Sequence, residues 1–350
     1  MLVSPDFSEI APTLARENPK EMLTVKDTPE GREVRINSSS LGIILSCPRK
    51  AYYVLHRGLK SRTESPALIF GSAIHKALEV FYSHPRSVRN IPPDFKERSD
   101  LMAYATPEER TAKAAEHFLY AAVDAFVTVA QPLQQLPDTD KRSIANGVWI
   151  LQEYFKTYIN DPYVVYSDAN GPVTERTFDL PLVERPGLRI VLFGTIDVVL
   201  RHEVSGNILP ADHKTSSIVG SDFFNRLKPN HQYTGYLLGT QRILGLDTNE
   251  FLVNCVQVKE RPKTARGSAP HFPRQITTRS ETDINEFIDS VTFAVQNYLM
   301  WMDEQKWPLG HVDACTMWGG CQFLETCSAP SSLRENLIEA KFQVEEKVNG

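Results

Sequence analysis

Hydrophobic residues recur at helical spacing in the first half of the chain and near its C-terminal end. The segment INSSSLGIILSCPRKAYYVLHRGL begins with serines that can cap a helix. In FGSAIHKALEVFYSH, Ile74, Leu78 and Phe81 mark a buried helical face beside His75. The helical pattern continues to about residue 158 and returns in ETDINEFIDSVTFAVQNYLMWMDEQKW. These segments predict helices on both sides of a differently patterned middle region.

The middle region has a hydrophobic period of two, which predicts β-strands. Three strands fit the pattern, at about 173 to 183, 188 to 201 and 207 to 214. Ser205-Gly206-Asn207 is typical of a hairpin turn between the last two. A helix is predicted next over SDFFNRLKPNHQYTGYLLGTQRIL, then a strand over FLVNCVQVK and a returning strand over RQITTR. Helices and strands that alternate in this way favour an α/β fold.

Two acids and a lysine fall on the predicted hairpin. With the turn centred near Gly206, Asp197 faces Lys214 and lies within a step of Asp212. Asp212 and Lys214 point to one side of the strand and His213 to the other. Carboxylates suit Mg²⁺, and an adjacent lysine can orient the attacking water in phosphodiester hydrolysis.

A simpler interpretation is a surface ion pair across two strands, which contributes little to stability. The acid-x-lysine pattern recurs at four other places in the chain, so ADHKT gains meaning only from its context. Gln232 and Tyr236 add some context, because they lie four residues apart on one face of the next predicted helix.

The order of these motifs resembles a known family. GTIDVVL, ADHKT and QYTGY are similar to the G-x-x-D, (D/E)-x-K and Q-x-x-x-Y motifs of the RecB-like branch of the PD-(D/E)XK nuclease superfamily. FGSAIHKALE resembles the upstream histidine motif of that branch, and SSSLGIILSCPRKAYY resembles its first helix. The agreement runs from residue 38 to 327. The resemblance implies a restriction-endonuclease-like α/β core, in which helices flank a central mixed sheet, with a helical insertion.

The resemblance also implies an activity and a set of roles. We expect a DNase that depends on Mg²⁺ or Mn²⁺ and acts as an exonuclease at DNA ends. Lys214 would orient the nucleophile, while Gln232 and Tyr236 would support the site or contact the substrate. Glu175, at the start of the preceding strand, could add a carboxylate. The implied metal ligands are His75, Asp197, Asp212 and the backbone carbonyl of His213.

The chain contains five cysteines. Cys315, Cys321 and Cys327 follow each other at C-x5-C spacing, which is longer than structural zinc sites normally use, and sets of four thiolates also bind iron–sulfur clusters. In the AddB-like and CRISPR-associated relatives, one cysteine before the core and three after it bind a [4Fe-4S] cluster. The resemblance therefore implies a cluster on Cys47 and these three residues, with Zn²⁺ or unliganded thiols as alternatives. Cys255, inside VNCVQV, is predicted to be a core residue.

Composition and charge limit the function only loosely. The 350 residues are 41% hydrophobic, with a net charge of -5, which neither demands nor excludes a nucleic-acid partner. We expect an intracellular, cytoplasmic protein of a bacterium or phage, because no signal peptide or membrane span is visible in the sequence. Basic residues that could contact DNA phosphates form two clusters: Arg49, Lys50, Arg57 and Lys60, and then Lys259, Arg261, Lys263, Arg266 and Arg274.

The predicted organisation has six parts. They are a flexible N-terminal arm (1–35), N-terminal helices with Cys47 and His75 (36–84), a helical lobe (85–165), the nuclease core (166–305), a cysteine segment (306–330) and a charged C-terminal tail (331–350).

Other functions remain open on the sequence alone. The same fold could be a non-catalytic or partner-activated DNA-binding protein, an endonuclease or an RNase. The helicase motif GxxxxGK[ST] is absent from the sequence, so any unwinding would come from a helicase or from a recombination or CRISPR partner. The substrate could be single-stranded DNA or duplex ends.

Overall fold

The computed structural model describes residues 22–264, 268–316 and 320–344. The strands are β1 (Leu23–Thr28), β2 (Gly31–Ile36), β3 (Leu59–Ser61), β4 (Tyr163–Val165), β5 (Ser167–Asp168), β6 (Gly171–Pro172), β7 (Thr174–Arg185), β8 (Gly187–His202), β9 (Ile208–Ser216), β10 (Glu250–Gln257), β11 (Arg274–Thr278) and β12 (Phe342–Val344). The helices are α1 (Ser38–Ser46), α2 (Pro48–Ala51), α3 (Pro66–Tyr82), α4 (Phe95–Met102), α5 (Pro107–Ala114), α6 (Phe118–Ala130), α7 (Ile144–Tyr158), α8 (Ser221–Phe224), α9 (His231–Leu244), α10 (Glu281–Glu304), α11 (Asp313–Thr316), α12 (Leu324–Ser328) and α13 (Arg334–Lys341).

Within the described residues, the main sheet has eight strands and β8 is its centre. Along the order β1-β2-β8-β9-β10-β11, β2 runs parallel to β8, β9 antiparallel to β8, and β10 parallel to β9. Strands β7 and β4 also pair with β8. The sheet is therefore mixed, and helices flank it, as the predicted restriction-endonuclease-like α/β fold requires.

Two hydrophobic cores hold the helices on the sheet. One core packs α3, α6 and α7 against residues of β8, β9 and β10. The other packs α1, α9 and α10 against β2, β7 and β8. Helix α3 carries His75 and belongs to the first core, while α9 carries Gln232 and Tyr236 and contacts the second, so helices from both cores reach the central strands. In the described part of the chain, no helix is both long and apolar enough to cross a membrane.

The arm that was predicted to be flexible is folded over residues 22–35. Strands β1 and β2 form an antiparallel hairpin, and β2 pairs with β8 in parallel. Val34 and Ile36 are fully buried. The segment REVRI alternates polar and apolar residues after a turn at Gly31, which has a φ of 131°, so a strand signal was present. Residues 1–21 lie outside the described part.

The segment predicted as a charged C-terminal tail contains a helix and a strand where the chain is described. Helix α13 and strand β12 follow the cysteine segment, and β12 pairs with β3 from the N-terminal region. Ile338 and Phe342 are buried against Tyr53 and Phe323. Two apolar residues therefore dock α13 and β12 against the N-terminal region in spite of the many charges of this segment. Residues 345–350 lie outside the described part.

The hairpin between β8 and β9 is confirmed, but its register differs from the predicted one. Val198 pairs with Ala211, which brings Asp197 level with Asp212 rather than with Lys214. The difference arises because the pairs from Val198–Ala211 to Arg201–Ile208 centre the connection between residues 204 and 205, one residue before the centre assumed from Ser205-Gly206-Asn207. The two acids consequently lie closer together than the sequence predicted.

Candidate active site

The candidate site lies where two central strands separate. Strands β8 and β9 pair only from Val198 and Ala211 towards the turn, and beyond Ala211 strand β9 pairs with β10 instead. Asp197 and Asp212 each lie one residue beyond the last β8–β9 pair. The fork therefore places two carboxylates side by side at a position where neither strand fills the space between them.

His75 completes a compact group with the two acids. Helix α3 begins with Ser65 as its capping residue and Pro66 in its first turn, and it packs on the sheet through apolar residues such as Ile74 and Leu78. One ligand atom from each of His75, Asp197 and Asp212 lies within 4.8 Å of the other two. The Nδ1 atom of His75 is 3.2 Å from Oδ2 of Asp197.

Lys214 contacts the most buried acid of the site. Its Nζ atom lies 2.6 Å from Oδ2 of Asp212, whose side chain is only 1% exposed, whereas the lysine side chain remains 31% exposed. The lysine amine can therefore reach solvent or substrate while its charge stays next to the carboxylate. The position agrees with the predicted alternation along the strand, since Asp212 and Lys214 are two residues apart.

Burial and charge set the protonation of the site. Burial raises the pKa of Asp212; the Lys214 ammonium opposes this shift and the Asp197 charge adds to it, so the net pKa is raised. Burial also acts to raise the pKa of Asp197, but His75, Asp212 and Lys214 lower it further than burial raises it. Burial acts to lower the pKa of His75, and the two carboxylates more than reverse that effect. The two acids thus favour opposite states, with Asp197 ionised and Asp212 protonated.

The donor set fits a hard divalent cation. Oδ2 of Asp197 and both carboxylate oxygens of Asp212 are buried without a hydrogen bond of regular geometry, although His75 and Lys214 lie close to them. Buried carboxylate oxygens that lack such partners are costly unless another positive group satisfies them. Oxygen ligands with one imidazole suit Mg²⁺ or Mn²⁺ better than softer ions. His75, Asp197 and Asp212 could therefore hold such a metal.

Gln232 and Tyr236 lie beside this group on helix α9. The Nε2 atom of Gln232 donates to the hydroxyl of Tyr236 over 3.0 Å, as expected for residues four apart. Burial raises the pKa of Tyr236, Gln232 lowers it, and the charges of Asp197 and Asp212 raise it further. The tyrosine hydroxyl is therefore neutral and is electrostatically coupled to both acids.

Glu175 is a third carboxylate at the edge of the site. It precedes Arg176, the partner of Ile196, and so lies level with Asp197 across the β7–β8 pair. It borders a small cavity with His75, Glu79 and His213. Burial by the surrounding protein, together with the charges of Asp197 and Glu79, raises the pKa of Glu175 to about 7, although solvent still reaches the side chain. Its φ of 47° is unusual for a residue other than glycine.

His213 occupies the opposite side of β9, in a buried polar network. Its ring is 4% exposed and stacks on Tyr82 with ring centroids 5.4 Å apart. The Nδ2 atom of Asn254 lies 2.7 Å from its Nδ1 atom. Arg274 donates from Nε to Oδ1 of Asn254 over 3.1 Å, which fixes the amide so that its NH₂ group faces His213. Burial, with a smaller contribution from the charge of His75, lowers the pKa of His213 to about 3, so the ring is neutral.

The same network continues into the helical lobe. Nη1 of Arg274 lies 2.6 Å from Oδ2 of Asp161, a nearly inaccessible carboxylate. The hydroxyl groups of Tyr82 and Tyr154 are 2.7 Å apart, and that of Tyr82 donates to Asp161 over 3.0 Å. These contacts join α3, α7, β10 and β11 behind strand β9. Sequence analysis placed Arg274 among the loop residues that contact phosphate; that prediction is wrong, since its guanidinium is buried in this network.

The prediction of an iron–sulfur cluster is not supported. Burial and the nearby thiols of Cys321, Cys47 and Cys315 raise the pKa of Cys327, so the four residues lie in one region. Among the described residues, however, no three of their sulfur atoms form a group at metal-ligand spacing. Cys321 and Cys327 instead pack beside an apolar cluster that includes Phe323. The zinc alternative lacks support for the same reason, while Cys255 is fully buried, as predicted.

Several basic residues predicted to contact DNA have protein partners. Arg49 donates to the carbonyl of Trp307 over 2.8 Å, and Arg57 forms a two-bond pair with Glu335. Arg261 pairs with Asp100 over 3.3 Å, and Lys259 donates to the hydroxyl of Ser268. A role in DNA binding for these residues and for Lys50, Lys60 and Lys263 stays a prediction. Arg266 lies outside the described residues.

Comparison with known proteins agrees with this geometry. Residues 35–328 match the family model of the PD-(D/E)XK nuclease superfamily. No curated protein matches the chain. The family match spans most of the chain, including the forked strands, the helix that carries His75 and the helix that carries Gln232 and Tyr236. The chain therefore belongs to the PD-(D/E)XK nuclease superfamily.

Proposed function

We propose that this protein is a metal-dependent DNA exonuclease of the RecB-like branch, which hydrolyses phosphodiester bonds at DNA ends. One observation carries the proposal: the fork between β8 and β9 brings His75, Asp197 and Asp212 within ligand distance of one another, with Lys214 beside Asp212. The order of the motifs in the chain supports the RecB-like branch, and with it an action at DNA ends.

The proposed roles follow from position and charge. His75, Asp197 and Asp212 would hold Mg²⁺ or Mn²⁺ together with the backbone carbonyl of His213. Such a cation supplies positive charge that stabilises the phosphodiester oxygens during hydrolysis. The Lys214 amine lies on the exposed side of the site, where it can orient the attacking water and stabilise developing negative charge.

The remaining residues would position these groups. Tyr236, held by Gln232, can donate its hydroxyl hydrogen to a phosphate oxygen of the substrate. The neutral ring of His213 is fixed by Asn254 and so holds the β9 backbone between Asp212 and Lys214 in one conformation. Lys50, Lys60 and Lys263 would add salt-dependent contacts to DNA phosphates. A helicase or recombination partner would supply any unwinding of duplex DNA.

The test is a nuclease assay on end-labelled single-stranded and duplex DNA with Mg²⁺ or Mn²⁺. Asp212→Ala and Lys214→Ala serve as paired variants, and Lys306→Ala, which changes an exposed lysine, is the matched control. We expect the wild type and the control to shorten DNA progressively from an end, and both site variants to be inactive. Cleavage of circular DNA would show an endonuclease instead, and cleavage of RNA alone would show an RNase. No cleavage by folded wild-type protein would contradict the proposal and favour a DNA-binding role.

A further inference from the structure

A second cavity opens beside the candidate active site. Its volume is about 160 Å³, close to the roughly 150 Å³ of an engineered protein cavity that admits benzene. It lies between the start of helix α1 and the paired strands β7 and β8, and Tyr236 forms part of its wall. A single aromatic ring could therefore enter it next to a residue of the catalytic site.

The cavity lies immediately along the strands from the proposed metal ligands. Thr195, in its wall, is two residues before Asp197 on β8, and Thr177, also in its wall, is two residues after Glu175 on β7. Thr177 and Thr195 are direct partners in the strand pair. Two residues of a strand span roughly 6.6 Å, so the cavity is a neighbour of the metal site rather than a remote pocket.

The fork leaves backbone groups available at this position. On one side, β8 pairs with β7 throughout this region. On the other side, its pairing with β2 ends at Leu192 and its pairing with β9 begins only at Val198. Among the described strands, residues 193–197 of β8 therefore have a neighbour on one side only. An unpaired strand edge offers both N–H donors and C=O acceptors.

The side chains of the cavity combine polar groups with the aromatic rings of Phe178 and Phe193, and they carry no net charge. Within the described residues, the hydroxyl groups of Ser38, Ser39, Thr177 and Thr195 have no hydrogen-bond partner, and all four residues line the cavity. The carboxylate of Asp179 in its wall accepts two bonds from Nη2 of Arg35, at 2.6 and 2.7 Å, which balances its charge. This lining suits a neutral group with several donors and acceptors better than it suits a phosphate.

We propose that the cavity holds the base of one nucleotide of the strand being cut, next to the scissile phosphate. The proposal rests on the nuclease function proposed above. A nucleobase is a neutral aromatic ring with donors and acceptors on its edge, so it matches both the size and the polarity of the cavity. The base would bond to the threonine hydroxyls and to the free edge of β8, and this contact would fix which phosphate reaches Asp197 and Asp212.

The test uses full-length protein and an end-labelled DNA strand that carries one abasic nucleotide at its centre. The variant is Thr177→Val/Thr195→Val, which removes two hydroxyl groups while it keeps side-chain shape and strand preference. Thr278→Val, on the outer strand β11, is the matched control, and thermal unfolding confirms that each protein is folded. Cleavage ladders of intact and abasic strands are compared for all three proteins.

We expect the wild type and the control to cut the abasic strand about five-fold more weakly at one phosphate, at a fixed offset from the missing base. In the double valine variant, intact and abasic strands should give the same ladder. An even ladder with the wild type, or an unchanged weak band with the folded variant, would overturn the proposal.

A binding measurement separates this proposal from the nuclease function. With Ca²⁺ in place of Mg²⁺, the affinity of each protein is compared for an intact strand and a fully abasic strand of the same length. If the wild type cuts no DNA, the proposed function fails, yet a base-dependent affinity that the valine variant loses would still support the cavity as a base-binding site. Equal affinities of the wild type for both strands would reject it.

Discussion

The two sides of strand β9 both carry buried polar groups, but the groups are satisfied in different ways. On the side of the proposed metal site, here called the catalytic side, Asp212 is almost inaccessible and its carboxylate oxygens lack hydrogen bonds of regular geometry. On the opposite side, His213 bonds to Asn254, and Asn254 bonds in turn to Arg274. Buried polar groups normally have partners. We infer that the side whose carboxylate oxygens lack hydrogen bonds is suited to receive a ligand. The side whose polar groups are fully hydrogen-bonded holds the strand in place.

The largest effect on activity is expected on the catalytic side. Asp212→Asn should lower kcat by at least about 10³-fold, because the amide cannot supply the charge that a cation requires. The same change should leave the protein as stable or make it more stable at neutral pH. The folded-state pKa of Asp212 is raised above its unfolded value. Above about pH 4 the unfolded state therefore loses this proton while the folded state keeps it, and the free energy of unfolding falls as pH rises. Steady-state kinetics and thermal unfolding measure both effects.

The largest effect on stability is expected on the opposite side. Arg274→Met should lower the free energy of unfolding by about 3 kcal/mol, because it leaves the buried carboxylate of Asp161 without its charged partner. Arg261→Met removes a similar pair with the more exposed Asp100 and should cost less than about 1 kcal/mol. Denaturant unfolding compares the two variants. Equal losses would show that the network behind β9 does not stabilise the fold in the way described.

Loss of the Lys214 amine tests whether the activity and the stability of the protein depend on the same ion pair. Lys214→Met should lower kcat by about 10²-fold, and it should also destabilise the fold at alkaline pH, because an ionised Asp212 loses the ammonium beside it. Combining Lys214→Met with Asp212→Asn should restore the stability but not the activity. A double variant as unstable as Lys214→Met would show that the ion pair is not the source of the loss.

The buried neutral ring of His213 predicts that the free energy of unfolding depends on pH. The folded-state pKa of His213 is lowered to about 3, whereas an unfolded histidine titrates near 6.5, so only the unfolded state binds a proton between these values. Stability is therefore complete above about pH 6.5 and is lost as pH falls. Between pH 7 and pH 5 the wild type should lose about 2 kcal/mol more than His213→Gln. Parallel pH profiles of the two proteins would contradict a buried neutral ring.

The smallest effect is expected at the edge of the site. Tyr236→Phe removes the hydroxyl that accepts a hydrogen bond from Gln232 and should lower kcat/KM by about five-fold. Tyr298→Phe, on the buried face of α10, is a matched control that should not change kcat/KM. Comparison of kcat/KM in the two variants tests whether Tyr236 contacts the substrate. Equal kcat/KM values for the two variants would show that Tyr236 does not contact the substrate.

The sequence predicted the elements of the catalytic side because its signals are local. A period of two placed Asp212 and Lys214 on one side of a strand, and a spacing of four placed Gln232 beside Tyr236. The exact register was missed because it depends on where the connection between β8 and β9 is centred, and no single residue marks that point. The error concerned the partner of Asp197, and it left the group of site residues unchanged.

The opposite side could not be predicted in the same way. Tyr82, Tyr154 and Arg274 lie between 72 and 192 residues apart in the chain, and only the folded sheet and helices bring them together. The cysteines show the converse: Cys315, Cys321 and Cys327 stand at a regular spacing, but the short segments around them do not bring their sulfur atoms to ligand distance. In regular strands and long helices the spacing of residues in the sequence determines which side chains lie together, whereas in short turns it does not.

The most direct test of this account is a calorimetric titration with Mn²⁺ of the wild type, Asp212→Asn and Arg261→Met. We predict that the wild type and Arg261→Met bind the cation with equal affinity, and that Asp212→Asn loses this binding while it remains folded. Unchanged Mn²⁺ binding by Asp212→Asn would contradict the claim that the carboxylates at the fork between β8 and β9 form the metal site of a nuclease.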